Sequence, residues 1–277
     1  MHTVSVGGID IPALGFGTWQ ITGRTCADMV ATALQAGYRH IDTAAIYENE
    51  TEVGQGLKAG GVDRDAIFVT TKVWRDFLAP DQLEKAAEQS LKRLKLDHVD
   101  LLLIHWPNAD VPLKGSIEAL NRVRERGLTR AIGVANFPSA LFDEAQGLSL
   151  APLVTNQVEY HPYLSQQRVL QAARRHGSSV TAYSPLARGK IFGDPVLESI
   201  AKAHGVNVGQ VALRWLVQQP QVIAIPKTVT PARARSNLDI FGFQLTDDEM
   251  DRIFALTRAG DRLVSPAWGP AWDKDEG

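Results

Sequence analysis

The chain has 277 residues, 44% of them hydrophobic and 22% charged, with a formal net charge of −2. A length near the ~250 residues of one α/β barrel allows a large core without staples, and the near-neutral charge excludes a partner recognised through a strongly basic surface, nucleic acid above all. A single cysteine (Cys26), a start without the basic and apolar stretches of a signal peptide, and no apolar run of ~18 residues together predict a cytoplasmic chain with no membrane partner.

Residues 4–11 hold two short strand-like pieces about Gly7-Gly8, which predicts a hairpin. Residues 14–18 form the first expected barrel strand. Residues 39–42 form the second, after a helix that stops at Gly37. The third strand is expected over 67–72. A helix over 82–94 follows, with Leu83, Ala87, Leu91 and Leu94 on one face and Pro80 suited to its first turn. The run 99–105 is nearly all apolar, as in a parallel strand buried on both faces. Ile117, Leu120 and Val123 mark a helix that stops near Gly127, and the basic run from Arg122 to Arg130 reads as its solvated face.

Further strands are expected over 131–135, 154–158, 180–183 and 222–225, and further helices over 166–175, 208–218 and 231–238. Thr246-Asp247-Asp248-Glu249 opens a last helix with a capping box. The alternation gives roughly eight βα units, which predicts a (β/α)8 TIM barrel with an N-terminal hairpin and a C-terminal helix and tail, in a single domain spanning residues 1–277. A doubly wound open sheet is the alternative architecture.

In such barrels the chemistry sits at the C-terminal ends of the strands. Here those ends carry Asp42, Lys72, His105, Asn136, Gln157, Tyr183-Ser184 and Lys227-Thr228. Taken singly, Asp42 and Lys72 read equally as a buried ion pair, Tyr47 as a loop tyrosine and His105 as a satisfied core histidine. As a set, they converge on one mouth.

The run Gly37-Tyr38-Arg39-His40-Ile41-Asp42-Thr43-Ala44, followed by Tyr47, Glu50, Val53 and Gly54, resembles the first signature of the aldo-keto reductase family. Ile225-Pro226-Lys227-Thr228 resembles its C-terminal signature. His105-Trp106-Pro107, Ala135-Asn136-Phe137 and Asn156-Gln157 resemble the segments between, in the right order. The resemblance spans about residues 4–261. It implies a catalytic set of Asp42, Tyr47, Lys72 and His105. Carbonyl reduction needs a hydride on carbon and a proton on oxygen; side chains do not donate hydride, so a nicotinamide cofactor is required. Tyr47 is the implied proton donor. Lys72 is expected to lower its pKa from near 10, with Asp42 holding Lys72 and His105 orienting the substrate oxygen.

Residues 15–20 are the nearest approach to a Gly-x-Gly-x-x-Gly fingerprint, but they lack the third glycine and a following helix, which disfavours a Rossmann site. The resemblance implies a dinucleotide extended across the mouth, past Gly17, Thr18, Trp19 and Asp42. Tyr183 is expected to stack on the nicotinamide, and Asn136 and Gln157 to hold its carboxamide. Ser184 and Leu186 line the pyrophosphate path, Pro226 and Thr228 flank it, Lys227 and Arg233 grip a 2′-phosphate, and Asn237 reaches the adenine. Cations at that phosphate favour NADPH/NADP+ over NADH. Two positions depart from the family's pattern, Ala135 where serine is usual and Ser236 where glutamate is usual, and both bear on cofactor affinity.

The resemblance places Trp19, Tyr47, Trp74, His105 and Trp106 around a small carbonyl substrate. The tail Asp261-Arg262-Leu263-Val264-Ser265-Pro266, with Trp268 beyond, is similar to that of the bacterial 2,5-diketogluconate reductases, in the branch that also reduces methylglyoxal. The Tyr47-Glu48-Asn49-Glu50 stretch and the short loop after His105 fit that branch too, and the resemblance implies small dicarbonyl or keto-sugar-acid substrates, with Arg262 a partner for a substrate carboxylate; the short tail predicts an open pocket. A monomer is expected. Two rivals are a non-enzymatic NADPH-binding relative and a metal-dependent hydrolase, for which Glu159-Tyr160-His161 is the sole hint; no metal is expected.

Overall fold

A computed structural model describes residues 2–258 and 260–274. Strands β1 (Thr3–Val6) and β2 (Ile9–Pro12) pair antiparallel, from Thr3 opposite Pro12 to Val6 opposite Ile9. Their turn needs φ above zero at both central residues, and Gly7 and Gly8 meet it at 56° and 79°. Val4, Val6 and Ile11 are buried, and Gly7 faces Pro152 and Val154 at the start of a barrel strand. The hairpin thus lies against the N-terminal end of the barrel, away from the mouth.

Eight parallel strands follow in sequence order: β3 (Phe16–Gly17), β4 (His40–Asp42), β5 (Phe68–Val73), β6 (Val99–Ile104), β7 (Thr129–Ala135), β8 (Leu153–Glu159), β9 (Ser179–Tyr183) and β10 (Val222–Ala224). Gly15 N–H donates to the Ala224 carbonyl (2.8 Å), Ala224 N–H to that of Ala13 (2.9 Å), and Gly17 N–H to that of Pro226 (3.0 Å). These bonds join the first strand to the last and close the barrel, which excludes the doubly wound open sheet. They also explain why β3 is shorter than the expected 14–18: residues 13–15 bond across the closing seam, toward β10. The interior strands are buried at almost every position, as a sheet covered on both faces requires.

The helices are α1 (Gly23–Ala36), α2 (Glu50–Ala59), α3 (Pro80–Leu94), α4 (Leu113–Glu125), α5 (Ser139–Leu148), α6 (Gln167–Arg175), α7 (Pro195–His204), α8 (Val208–Gln218), α9 (Pro231–Leu238) and α10 (Asp247–Phe254). α3 buries Leu83, Ala87, Leu91 and Leu94 with Pro80 in its first turn, as its pattern predicts. α10 opens on both bonds of the capping box, Glu249 N–H to Thr246 Oγ1 at 3.2 Å and Thr246 N–H to Glu249 Oε2 at 2.8 Å. Among the described residues, no helix is long and apolar enough to cross a membrane.

The local structure departs from the sequence pattern in three places. Helices α2, α5 and α7 lie where none is expected. A helix does follow residues 15–20, since α1 opens at Gly23; the third glycine alone is missing. The basic run is more than a solvated face: Arg122 pairs with Glu84 (2.7 Å), Arg126 with Glu84 and Glu88, and Arg130 with Asp100 (2.9 Å), tying α4 to α3 and β7 to β6. Half-exposed pairs of this kind each contribute about 0–1 kcal/mol.

Candidate active site

The strand ends put unlike side chains into one mouth. β4 ends on Asp42, β5 carries Lys72 one residue before its end, and His105 follows β6 directly. Lys72 Nζ lies 2.6 Å from Asp42 Oδ1 and donates to the Thr43 carbonyl at 2.8 Å. Both side chains are sealed from solvent (0% and 2% exposed), so each charge depends on the other. Burial holds the Lys72 ammonium below its ordinary range, and Asp42 opposes that shift. The other oxygen of Asp42 accepts from Gln157 Nε2 at 2.8 Å, linking β8 to β4 across the barrel.

Tyr47 closes the short turn Ala45–Tyr47 after β4. Its ring centroid lies 5.1 Å from Lys72 Nζ and 5.6 Å from the His105 ring. The expected downward shift of the phenol is not what this arrangement produces. Burial, then the Asp42 carboxylate, hold Tyr47 well above its ordinary value, because the Lys72 charge is spent on Asp42 at 2.6 Å. Tyr47 therefore keeps its proton. His105 is held well below the usual histidine range by burial and then by Lys72, so its imidazole is neutral. Its Nδ1 is buried without a hydrogen-bond partner, and the Trp74 ring stands edge-on to it at 5.3 Å.

Asn136 follows β7 in a left-handed backbone conformation (φ 63°), and Ser184 follows β9 in another (φ 49°). Such conformations cost about 1–3 kcal/mol each and concentrate at binding sites. Asn136 Nδ2 donates to the His105 carbonyl (2.9 Å), and Tyr183 donates its hydroxyl proton to Asn136 Oδ1 (2.8 Å). The two amides expected at a carboxamide are thus already oriented by protein partners, Gln157 by Asp42 and Asn136 by Tyr183.

These groups line a cleft of about 750 Å³. Gly17, Thr18 and Trp19 border it on one side, Ser184, Leu186, Pro226 and Lys227 on another, and Tyr47, Trp74, His105 and Trp106 form the inner wall. Lys72 lies beneath its floor. Thr228, Arg233 and Asn237 stand outside the lining: Thr228 is buried with its Oγ1 accepting from Thr230 N–H, Arg233 is exposed on α9, and Asn237 is buried one turn further on. Ser236 does other work, accepting from the Asn207 side chain at 2.8 Å. Ala135 is fully buried at the end of β7.

Two features had no signal in the sequence. Arg188 reaches over the Trp19 ring at 4.9 Å from across the cleft. The tail borders the pocket: Leu263, Val264, Ser265, Pro266 and Trp268 line it, with the Trp268 ring 5.7 Å from Trp74 and 5.2 Å from Trp106. Arg262, expected at a substrate carboxylate, stacks on Trp272 at 3.9 Å. The Glu159–His161 pair is internal, His161 Nε2 meeting Glu159 Oε1 at 2.9 Å, and no group of three or more His, Cys, Asp or Glu placed for a metal occurs among the described residues.

Residues 13–258 match the model of the aldo/keto reductase family. The chain is 39% identical over 269 residues to the methylglyoxal reductase DkgB of Yersinia pestis, covering 96% of this chain and 100% of that protein. It superposes on a crystal structure of a protein provisionally named 2,5-diketo-D-gluconic acid reductase B, with a TM-score of 0.97, 49% identity and coverage of 99% and 98% of the two chains. A Bombyx mori aldo-keto reductase solved in complex with NADP is similar at a TM-score of 0.85 and 35% identity, covering 93% and 94%.

Proposed function

The chain belongs to the aldo/keto reductase family and is an oxidoreductase that acts on carbonyl groups; from that premise we propose that it reduces small aldehydes and ketones to alcohols with NADPH, with Tyr47 as the proton donor. Methylglyoxal and dicarbonyls of the 2,5-diketogluconate type are the proposed substrates. The observation that carries the reading is the convergence of Asp42, Lys72, Tyr47 and neutral His105 at the floor of one aromatic-walled cleft.

The side chains present fit a dinucleotide. Asn136 and Gln157 offer pre-oriented amides, Tyr183 an aromatic face, and Lys227 an exposed cation at the rim, with Arg233 and Asn237 beyond it on α9. Two cations near a 2′-phosphate favour NADPH by charge-assisted hydrogen bonding. The reduced nicotinamide supplies a hydride to the carbonyl carbon. The protein's own part is to place the carbonyl oxygen and protonate it. A neutral His105 can hydrogen-bond that oxygen without adding charge, and the raised pKa of Tyr47 keeps the phenol protonated until the oxygen becomes basic enough to take the proton. The Lys72–Asp42 pair lies against the Tyr47 ring and holds it at the substrate oxygen. Trp74, Trp106 and the tail limit water at the reacting carbon. We place this activity in the cytoplasm, in a monomer whose whole chain works as one domain; the lone cysteine, buried in α1, suits a reducing compartment.

The test follows loss of NADPH absorbance with methylglyoxal, with NADH and Tyr47→Phe alongside. Consumption of NADPH that vanishes in the variant supports cofactor and proton donor together. Tight NADPH binding without turnover of methylglyoxal, diketogluconate or simple aldehydes would favour a non-enzymatic relative.

A further inference from the structure

The residues that wall the cleft from above, 263–268, belong to a strap that runs from Asp261 to Asp273 along the barrel mouth. No described residue of 260–274 is fully buried. Its side chains are partly buried at most, so their packing is supplemented by polar anchors. Two carboxylates supply them.

Glu159, the last residue of β8, is completely buried. Its Oε1 accepts the Leu263 N–H and its Oε2 the Val264 N–H, both at 2.7 Å. His161 Nε2 braces Oε1 from behind at 2.9 Å. At the far end, Asp273 accepts the Ser139 N–H at 2.9 Å and the Ser139 hydroxyl at 2.7 Å, on the first turn of α5. Between these points Trp268 is wedged against Trp74 and Trp106, Trp272 packs against Trp106 at 5.8 Å, and Arg75 covers Trp268 at 4.4 Å. Trp74 in turn touches the His105 ring. Neither carboxylate lines the cleft, yet both decide where its outer wall stands.

We propose that Glu159 and Asp273 are positioning residues that set substrate affinity and size selection by mooring the strap, with no direct part in the reaction or in cofactor binding. The proposal rests on the reading of the cleft as the site of a carbonyl reductase. The ligand that feels the moorings is a small dicarbonyl, which needs the wall closed, in contrast to a bulkier aryl dicarbonyl that fills the cleft without it.

The experiment uses the full chain with Glu159→Gln and Asp273→Ala, assayed with NADPH on methylglyoxal and phenylglyoxal. Gln keeps the shape of Glu159 but offers one acceptor where two N–H groups need two. Hydrogen bonds to a charged group are worth on the order of tenfold or more in an equilibrium, so KM for methylglyoxal is expected to rise on the order of tenfold. The kcat and the NADPH dissociation constant stay unchanged, and the preference for methylglyoxal over phenylglyoxal falls. Amide hydrogen exchange at Leu263 and Val264 speeds up in Glu159→Gln. Should that variant fail to fold, the half-buried Asp273→Ala decides alone.

Unchanged KM in the folded variants overturns the proposal. So does a fall in kcat at constant KM, the sign of mere destabilisation, or an equal loss of NADPH affinity. A wild-type protein that turns over neither dicarbonyl overturns the functional reading and this proposal with it, while the exchange measurement still reports whether the carboxylates hold the strap.

Discussion

Lys72 Nζ and Asp42 Oδ1 meet at 2.6 Å beneath the floor of the cleft, out of reach of solvent. A pair in that position is costly to break by halves, because removal of one partner leaves a buried charge with no counterpart; such changes destabilise by about 3–5 kcal/mol. Asp42→Asn and Lys72→Met are each expected to lose that much in urea unfolding. The double variant recovers a large part of it, since no lone charge remains. Strictly additive losses would show that the two residues do not depend on each other. All three variants lose reductase activity.

The pH profile follows from the two shifted groups. The protonated phenol of Tyr47, the donor form under the proposed mechanism, is present below its pKa and lost as pH rises through it; burial and Asp42 have moved that limb above the ordinary value. Neutral His105 is present above its pKa, and burial with Lys72 has moved that limb down. The kcat/KM for carbonyl reduction is therefore expected to be flat from about pH 6.5 to about pH 9, inside the ordinary histidine and tyrosine values. An alkaline decline centred near neutrality, absent from a substrate or cofactor control, would show that Tyr47 is not the titrating donor.

Lys227→Ala and Arg233→Ala test the nucleotide preference. Loss of a charge-assisted contact to phosphate is expected to raise the NADPH dissociation constant by about tenfold or more, with NADH binding left as it was. Fluorescence titration of the two cofactors reads this directly. Equal weakening of both would move the phosphate contact to other residues.

Gly54 offers a stability test remote from the chemistry. It sits mid-helix in α2, where alanine is intrinsically better by about 1 kcal/mol. A Cβ there would lie 2.3 Å from the Leu94 carbonyl oxygen at the end of α3. Gly54→Ala is thus expected to destabilise by about 1–3 kcal/mol, read as a drop in melting temperature. A rise would mean that α2 and α3 can separate at little cost.

The strands are legible because a buried parallel strand is an apolar run, and the mouth residues because polar residues end nearly every such run and together match the aldo-keto reductase signatures. Asp42, His105, Asn136 and Tyr183 stand out for that reason. Helix α2 is hidden by Gly54 and Gly56, which weaken its propensity but admit close neighbours, Leu94 for one and Ala27 and Val30 for the other. The upward shift of Tyr47 is not legible because charge sign is readable in a sequence while distance is not: Asp42 sits nearer to Lys72 than Tyr47 does. Beside His161, Glu159 carries in the sequence only a faint hint of a metal site. Its partners, Leu263 and Val264, lie more than a hundred residues away in the chain, and no local pattern connects them.

The seam where the barrel closes has a consequence for how the protein responds to its ligand. Gly17 donates to Pro226 across that seam, and Thr18 and Lys227, the next residue on each side, both border the cleft. The dinucleotide proposed here, gripped from both sides, would act as a clasp across the join between the two ends of the sheet. Its binding energy would then add to the cohesion of the barrel at the place where the first strand meets the last. The melting temperature should climb with the logarithm of NADPH concentration, and the amides of residues 15–17 and 224–226 should gain the most protection from exchange.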